Sequence, residues 1–358
     1  IILVDALRFD HLGCYGYEKN TSPHIDRLCS GGILFKNAVS QATWTKPAVI
    51  SLFTSNYLHT HNVERSTKDF TVRGADNVLP QSAQTLTEVL SQTGYRTFGI
   101  VGNYFIQKGF GVEQGFDKYA LGRPDWEITE KAIHWLDESK DGPFFLYLHY
   151  MGPHTPYDPP EEYRKRFAGS YKGSIDFAGK HAKHFKEMDL SDEDLRELRA
   201  RYDAEIACVD DEIGRVLEYL ETRGLAEKTV VVLLADHGEA LMENKHIGHG
   251  PLTNTVAQIP LAIRKPKDDK PRQINSVVEM IDVAPTILSI LGIDIPGEFQ
   301  GQNVLKEGKS YGFCEIGSDK LAIRSERYFY VTNGSVTRLY DIKEDPFEKE
   351  NISSEKED

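Results

Sequence analysis

A chain of 358 residues exceeds a single small core, and its length fits two domains or one large α/β domain with an appendage. With 40% hydrophobic and 27% charged residues it has a globular composition, and no apolar run approaches the ~20 residues of a membrane helix. A net charge of −13 argues against a general nucleic-acid surface, which needs clustered Lys and Arg, so an anionic substrate must be attracted locally.

Cys14, Cys29, Cys208 and Cys314 are too few and too scattered for a disulfide framework or a CxxC metal site, and read as reduced thiols. A cytoplasmic location is expected. The chain opens on a strand instead of a Met, which points to an upstream segment and leaves a leader open.

Ile1 to Val4 is continuously apolar and β-branched, as in a central parallel strand, and Asp5 stands where that strand ends. Open α/β sheets build their sites on that edge. Asp5 is therefore a candidate metal ligand, with a helix cap or turn former as the alternative. Ser22-Pro23 opens a helix that stops at Gly31-Gly32, and Leu34 to Val39 reads as an edge strand. In the run Ala42 to Ser55, Pro47 suits a first helical turn and Ala48 to Phe53 carry apolar residues at helical spacing, so Thr45 sits at a helix N-terminus. Unpaired backbone N–H groups and the positive dipole end gather there, which suits a hydroxyl that must meet an anion; a plain N-cap is the alternative.

Gln84 to Gln92 reads as an amphipathic helix, Arg96 to Val101 as a strand, Trp126 to Leu136 as a helix and Phe144 to Tyr150 as a strand. That strand delivers Gly152 to Tyr157, where His154 stands between two prolines in a fixed loop; a packed surface histidine is the commoner outcome. Residues 163–186 read as an irregular excursion. Ser191 with Asp194 forms a capping box, and a helix with breaks runs from Asp192 to Arg223. Thr229 to Leu234 is the strongest strand pattern in the chain and ends in Asp236-His237. A loop through His249, a strand Ile259 to Ile263 and a helix Ile281 to Leu291 follow.

After Gly297, the stretches Lys320 to Arg324, Tyr328 to Thr332 and Val336 to Tyr340 alternate as in a small antiparallel sheet, and the acidic tail from Glu344 reads as frayed. The expected division is a catalytic α/β domain over residues 1–300 and a small subdomain over 301–358.

Ends of parallel strands share one edge, so Asp5, Asp236 and His237 can meet across more than 200 residues of sequence. Two carboxylates, one imidazole and the Thr45 oxygen form a mixed nitrogen and oxygen set that suits Zn²⁺ or Mn²⁺ better than an all-oxygen calcium cage, with Ca²⁺ or Mg²⁺ as alternatives.

At this point the chain resembles the sulfatase family of the alkaline phosphatase superfamily. The matching segments are Val4-Asp5-Ala6-Leu7-Arg8-Phe9-Asp10-His11-Leu12-Gly13-Cys14-Tyr15-Gly16, then Thr45-Lys46-Pro47-Ala48 with Ser51-Leu52-Phe53-Thr54, and Phe144 through Tyr157. Asp236-His237-Gly238-Glu239, Gly248-His249-Gly250, and Leu339-Tyr340-Asp341-Ile342 with Asp345-Pro346 complete the series, in family order over nearly the whole chain. The resemblance implies a large mixed sheet sandwiched by helices, alkaline phosphatase-like, with a small C-terminal α+β subdomain. It implies that Asp5, Asp236 and His237 are metal ligands, that Thr45 is the nucleophile, and that His154 and His249 contact the bound anion or its leaving group.

Two departures stand out. Sulfatases carry Cys or Ser at the nucleophile position, oxidised to formylglycine, with an Arg four residues on; here these are Thr45 and Val49. They usually carry a second Asp after the first, which here is Ala6. The segment that supplies a sulfate-binding Lys is not visible, and Asn103 stands near its place as a substitute. Thr cannot become an aldehyde, yet its alkoxide can attack phosphorus, as in lipoteichoic acid synthases and other Thr-using members. The reading is a metal-dependent hydrolase of a small anionic phosphodiester- or phosphonate-type ester through a covalent Thr intermediate. Its rivals are a sulfatase that lacks formylglycine, a catalytically silent anion-binding homologue, and a two-metal phosphatase whose second ligand set is not found beyond His154 and His249. Neither a nucleic-acid partner nor a membrane segment is expected, and the oligomeric state is left open.

Overall fold

The computed structural model describes residues 1–63, 78–138, 142–179, 185, 188–266, 270–305, 308–317 and 319–354. Its first half contains strands β1 (Ile2–Val4), β2 (Ile33–Val39), β3 (Arg96–Val101), β4 (Lys118–Leu121) and β5 (Phe144–Tyr150). Helices α1 (Pro23–Ser30), α2 (Thr45–Thr54), α3 (Leu58–His61), α4 (Leu86–Gln92) and α5 (Asp125–Glu138) lie among them. The second half adds α6 (Glu161–Phe167), α7 (Asp192–Thr222), β6 (Val231–Ala235), a short hairpin of β7 (Ala240–Leu241) and β8 (Ile247–Gly248), α8 (Asn254–Ala257), β9 (Gln258–Arg264), β10 (Arg272–Glu279) and α9 (Val283–Leu291). Strands β11 (Tyr311–Ile316), β12 (Lys320–Ser325), β13 (Tyr328–Thr332) and β14 (Thr337–Asp341) close the fold.

Eight strands form one sheet in the order β10-β2-β9-β6-β1-β5-β3-β4. All pairings are parallel except those of β9 with β2 and with β6, so the sheet is mixed, as the resemblance implied. Helices α1 and α5 pack on α7, and α2 packs on α4 and α9, so the sheet is sandwiched. The central strands β1 and β6 are apolar and buried along their whole length, the pattern of a sheet covered on both faces.

Several elements differ from the sequence reading. Strand β2 is not at the edge, because β10 pairs outside it in parallel register. The first half of β10 is mostly polar and exposed, as edge strands are, with Ile274 its one apolar residue. The stretch from Asp192 is one unbroken helix of 31 residues, opened by the expected Ser191/Asp194 capping box. Gly214 lies inside it because the His24 ring occupies the space a Cβ would need, with its atoms 2.7 Å from that position. The excursion 163–186 begins inside α6, whose first turn is acidic and last turn basic, in accord with the helix dipole; residues 180–184 and 186–187 of it lie outside the described residues. Of the tail from Glu344, residues 355–358 do too.

The C-terminal stretches form a four-stranded antiparallel sheet in which β11 adds a strand the pattern did not reveal. Cys314, Ala322, Phe329 and Tyr340 of that sheet share one apolar cluster with Val39 and Val277 of the large one and with Ala257 of α8. Among the described residues, no helix is long and apolar enough to cross a membrane.

Candidate active site

Register brings the site together. Val4 pairs with Ala235 on one side and with Tyr150 on the other. Asp5 and Asp236 therefore leave the sheet side by side, and His149 stands one residue back on β5. Helix α2 presents Thr45 as its first residue, after Trp44 as an N-cap that makes no side-chain capping bond. Pro47 costs nothing there, since first-turn N–H groups have no partner within the helix. All ten residues of α2 are buried, which fixes the position of Thr45.

The Thr45 hydroxyl donates to Asp5 Oδ2 at 3.2 Å. The Asn103 amide, just past β3, donates to Asp5 Oδ2 at 2.8 Å and to Thr45 Oγ1 at 3.1 Å. Asp236 Oδ1 accepts the backbone N–H of Ala6 at 3.2 Å and of His237 at 2.9 Å. Ala6 reaches it from a left-handed conformation, φ 57°, which costs on the order of 1 kcal/mol for a residue with a Cβ.

Around these groups lies a set of buried polar atoms without a hydrogen-bond partner among the described residues: Asp5 Oδ1, Asp236 Oδ2, His237 Nε2 and both ring nitrogens of His149. His237 Nδ1 faces the Gly238 carbonyl at 2.9 Å, which places the proton there and leaves the Nε2 lone pair free. That Nε2 lies 3.6 Å from Asp5 Oδ1 and 3.4 Å from Asp236 Oδ2. His149 Nε2 lies 3.6 Å from Asp5 Oδ2. Ligand atoms of Asp5, His149 and Asp236 all fall within 4.8 Å of one another.

Burial, and then the neighbouring charge of Asp5, push the Asp236 carboxyl well above the usual carboxylate range. Burial lowers His237 to about 3 and His149 to about 4, so both imidazoles are neutral, the form that binds metals. Orphaned buried carboxylates are costly unless paired or bound to a metal. Asp5, Asp236 and neutral His149 together fit a divalent cation, and the free Nε2 of His237 lies against both carboxylates.

Toward solvent, the rings of His237, His249 and His154 follow one another, with centroids 4.6 Å and 4.9 Å apart. His249 Nδ1 lies 3.8 Å from the buried carboxylate of Glu239. Burial lowers His249, but the Glu239 carboxylate outweighs it and raises the imidazole's pKa overall. His154 Nδ1 faces the Thr155 carbonyl at 2.6 Å. The structure thus gathers Asp5, Thr45, Asn103, His154, Asp236, His237 and His249 in one place. His149 and Glu239 join them, and sequence reasoning passed over both; an ionisable residue inside the apolar run Phe144–Tyr150 was the available signal for His149. A cavity of about 570 Å³ at the other end of the strands is lined by Ile1, Phe144, Val230 and Leu291 and holds no histidine.

A buried hydroxyl at a helix N-terminus, beside carboxylates and imidazoles on the C-terminal edge of a largely parallel sheet, defines a hydrolase of the alkaline phosphatase architecture. The family model described as Sulfatase matches residues 1–293, and the chain belongs to that family. A model described as N-sulphoglucosamine sulphohydrolase, C-terminal, matches residues 252–358. The chain is 25% identical to Uncharacterized sulfatase YidJ of Escherichia coli (strain K12), over 98% of this chain and 82% of that protein. It is 24% identical to Arylsulfatase K of Bos taurus, over 99% of this chain and 78% of the relative. In fold it is similar to the phosphonate monoester hydrolase of Agrobacterium radiobacter, with TM-score 0.81 and 21% identity over 99% of this chain and 91% of that one. The protein is accordingly a hydrolase of ester bonds in a family that generally uses a divalent metal.

Proposed function

We propose that this hydrolase uses unmodified Thr45 as a covalent nucleophile on a phosphodiester or phosphonate monoester, with a divalent cation held by Asp5, His149, Asp236 and His237. The observation that carries the reading is the Thr45 hydroxyl, which points its proton at Asp5 while Asn103 donates to the same oxygen. A bound cation supplies positive charge to the nucleophile oxygen and to the charge that develops on the ester. The nitrogen and oxygen donor set suits Mn²⁺ or Zn²⁺.

In the first step Thr45 Oγ1 loses its proton and attacks phosphorus, the bond to the leaving oxygen breaks, and that oxygen takes up a proton, which balances the one given up by Thr45. In the second step water attacks phosphorus and the bond to Thr45 Oγ1 breaks, which restores the hydroxyl. Asn103 would stay hydrogen-bonded to Thr45 Oγ1 when it carries negative charge, and His249 and His154, which follow His237 outward, would meet the leaving group.

Names of the relatives speak equally for a sulfuric ester, and residue 45 separates the two readings. A sulfothreonine would need attack at sulfur, without the elimination route that a carbonyl hydrate offers. The test compares an aryl phosphodiester with the matching aryl sulfate and quenches turnover at low pH. A phosphoryl group trapped on the Thr45 peptide, lost in Thr45→Ala with metal content kept, is the expected result. Faster aryl sulfate hydrolysis without a trapped phosphoenzyme overturns the reading in favour of an unconventional sulfatase.

A further inference from the structure

The loop that carries His154 is fastened by carboxylates from two helices. Asp125, the first residue of α5, accepts the Met151 N–H at 2.8 Å on one oxygen and the Gly152 N–H at 2.9 Å on the other. Glu205, midway along α7, accepts the Asp158 N–H at 2.9 Å. Both ends of the loop 151–158 are therefore tied down, and His154 lies between them with its own N–H turned back to the Met151 carbonyl at 2.8 Å.

Gly152 shows how closely the two acids converge. A Cβ at this position would lie 3.3 Å from Asp125 Oδ2 and 3.3 Å from Glu205 Oε2, so a side chain would press on both carboxylates. Burial raises Asp125 to about 6, against the opposing effect of its two backbone bonds and of Arg123, with Glu212 adding to the rise. Burial also raises Glu205 to about 8, helped by Asp125 and Asp158 and opposed by the Asp158 N–H and Arg201. Burying two acids side by side costs stability, and the backbone bonds they accept all come from one loop.

We propose that Asp125 and Glu205 are positioning residues for the reaction: they clamp the backbone of the 151–158 loop and so hold the His154 imidazole against the leaving group of the ester. This rests on the reading of His154 as a residue that meets the leaving group. Asp125 alone takes two of the three bonds, so it is the stronger half of the clamp. Glu205→Gln keeps an acceptor for the Asp158 N–H, whereas Asp125→Asn loses one of two acceptors and Asp125→Ala loses both.

The experiment measures kcat and KM for a nitrophenyl ester and for an ester with a poor leaving group, with metal content determined for each variant. General-acid help is worth about 10²–10⁴-fold. Asp125→Ala should lower kcat on the poor leaving group by about tenfold or more, leave the nitrophenyl ester within about threefold, and keep KM and metal content. Asp125→Asn, close in volume, should lose less, and Glu205→Ala, which removes one of the three bonds, should lose part of what Asp125→Ala loses, again on the poor leaving group. Adding Asp125→Ala to His154→Ala should cost nothing further, because the residue being positioned is gone. If Asp125→Ala fails to fold, Asp125→Asn with and without His154→Ala decides by the same comparison. An additive loss in the His154→Ala background, or equal losses for both leaving groups, overturns the clamp while the role of His154 stands. A His154→Ala enzyme with wild-type leaving-group dependence overturns the reading of His154 and the clamp with it.

Discussion

Replacing Asp236 by Asn should change stability in opposite directions with and without a divalent cation. Asn keeps the Oδ1 acceptor that binds the Ala6 and His237 N–H groups and changes only the orphaned Oδ2. In metal-free wild type at pH 7.5, Asp236 is either charged beside Asp5 or protonated. Protonation costs about 1.4 kcal/mol for each pH unit above its unfolded pKa, so the ceiling is ~5 kcal/mol. With 358 residues, the unfolding entropy is about 0.75 kcal/mol/K at ~2.1 cal/mol/K per residue. A relief of ~2 kcal/mol, well inside that ceiling, therefore raises Tm by about 3 °C in the variant. For wild type, a cation present at a thousand times its Kd contributes about 4.1 kcal/mol, or about 5 °C. Asp236→Asn, short of one anionic ligand, should respond to the same cation by under about 2 °C. Thermal scans after EDTA treatment, and again with added Mn²⁺ or Zn²⁺, read both effects. An equal cation-induced shift in the two proteins would refute the assignment of Asp236 as a ligand, and a destabilised metal-free variant would refute the argument from the orphaned carboxylate.

His149→Ala should weaken cation binding by at least about tenfold in chelator competition, because its Nε2 has no other partner among the described residues; unchanged affinity would remove it from the ligand set. Glu348, which accepts the Asn254 N–H, is raised to about 8 by burial first and by Asp345. A carboxyl raised in the folded state makes stability fall as pH rises from its unfolded value near 4.3 to about 8. Glu348→Gln should therefore be more stable than wild type above pH 8, by on the order of 2 kcal/mol, with the difference gone below about pH 4.5 in urea titrations.

The readable part of this protein was the part built on apolar runs. β1, β5 and β6 announce themselves, and because parallel strands end on a common edge, placing Asp5 and Asp236 together needed only strand ends. Where polarity disguised an element, the reading failed. Arg272 to Ser276 carry a single apolar residue, Ile274, because β10 closes the sheet, and α7 seemed broken because its charges conceal a continuous apolar stripe. His149 was hidden for a different reason: alternation along a strand says that residues face two sides, but not which side meets the carboxylates. Ala6 could not be read at all, since a left-handed alanine is imposed by the pull of Asp236 on its N–H and leaves no mark in composition.

Charge balance links the departures from the family to the choice of ester. Val49, where sulfatases carry Arg, is buried among the apolar residues of α2, and Ala6, where they usually carry a second acid, is buried as well. One cation and one anion are thereby missing from the site together. On the proposed ligand set, Asp5 and Asp236 would bring two negative charges that a divalent cation cancels, while the imidazoles of His149 and His237 are neutral and His249 lies against Glu239. Lys46, next to Thr45, sets its ammonium over the rings of Trp44 and Phe110, at 5.5 Å and 5.3 Å from their centroids. An ester entering this buried setting brings its own charge, and each buried ion without a counter-charge costs several kcal/mol. A monoanionic diester, phosphonate monoester or sulfate ester adds one such charge, whereas a dianionic phosphate monoester adds two. On the proposed ligand set, the charge of the site favours a monoanionic ester, and a threonine nucleophile favours attack at phosphorus.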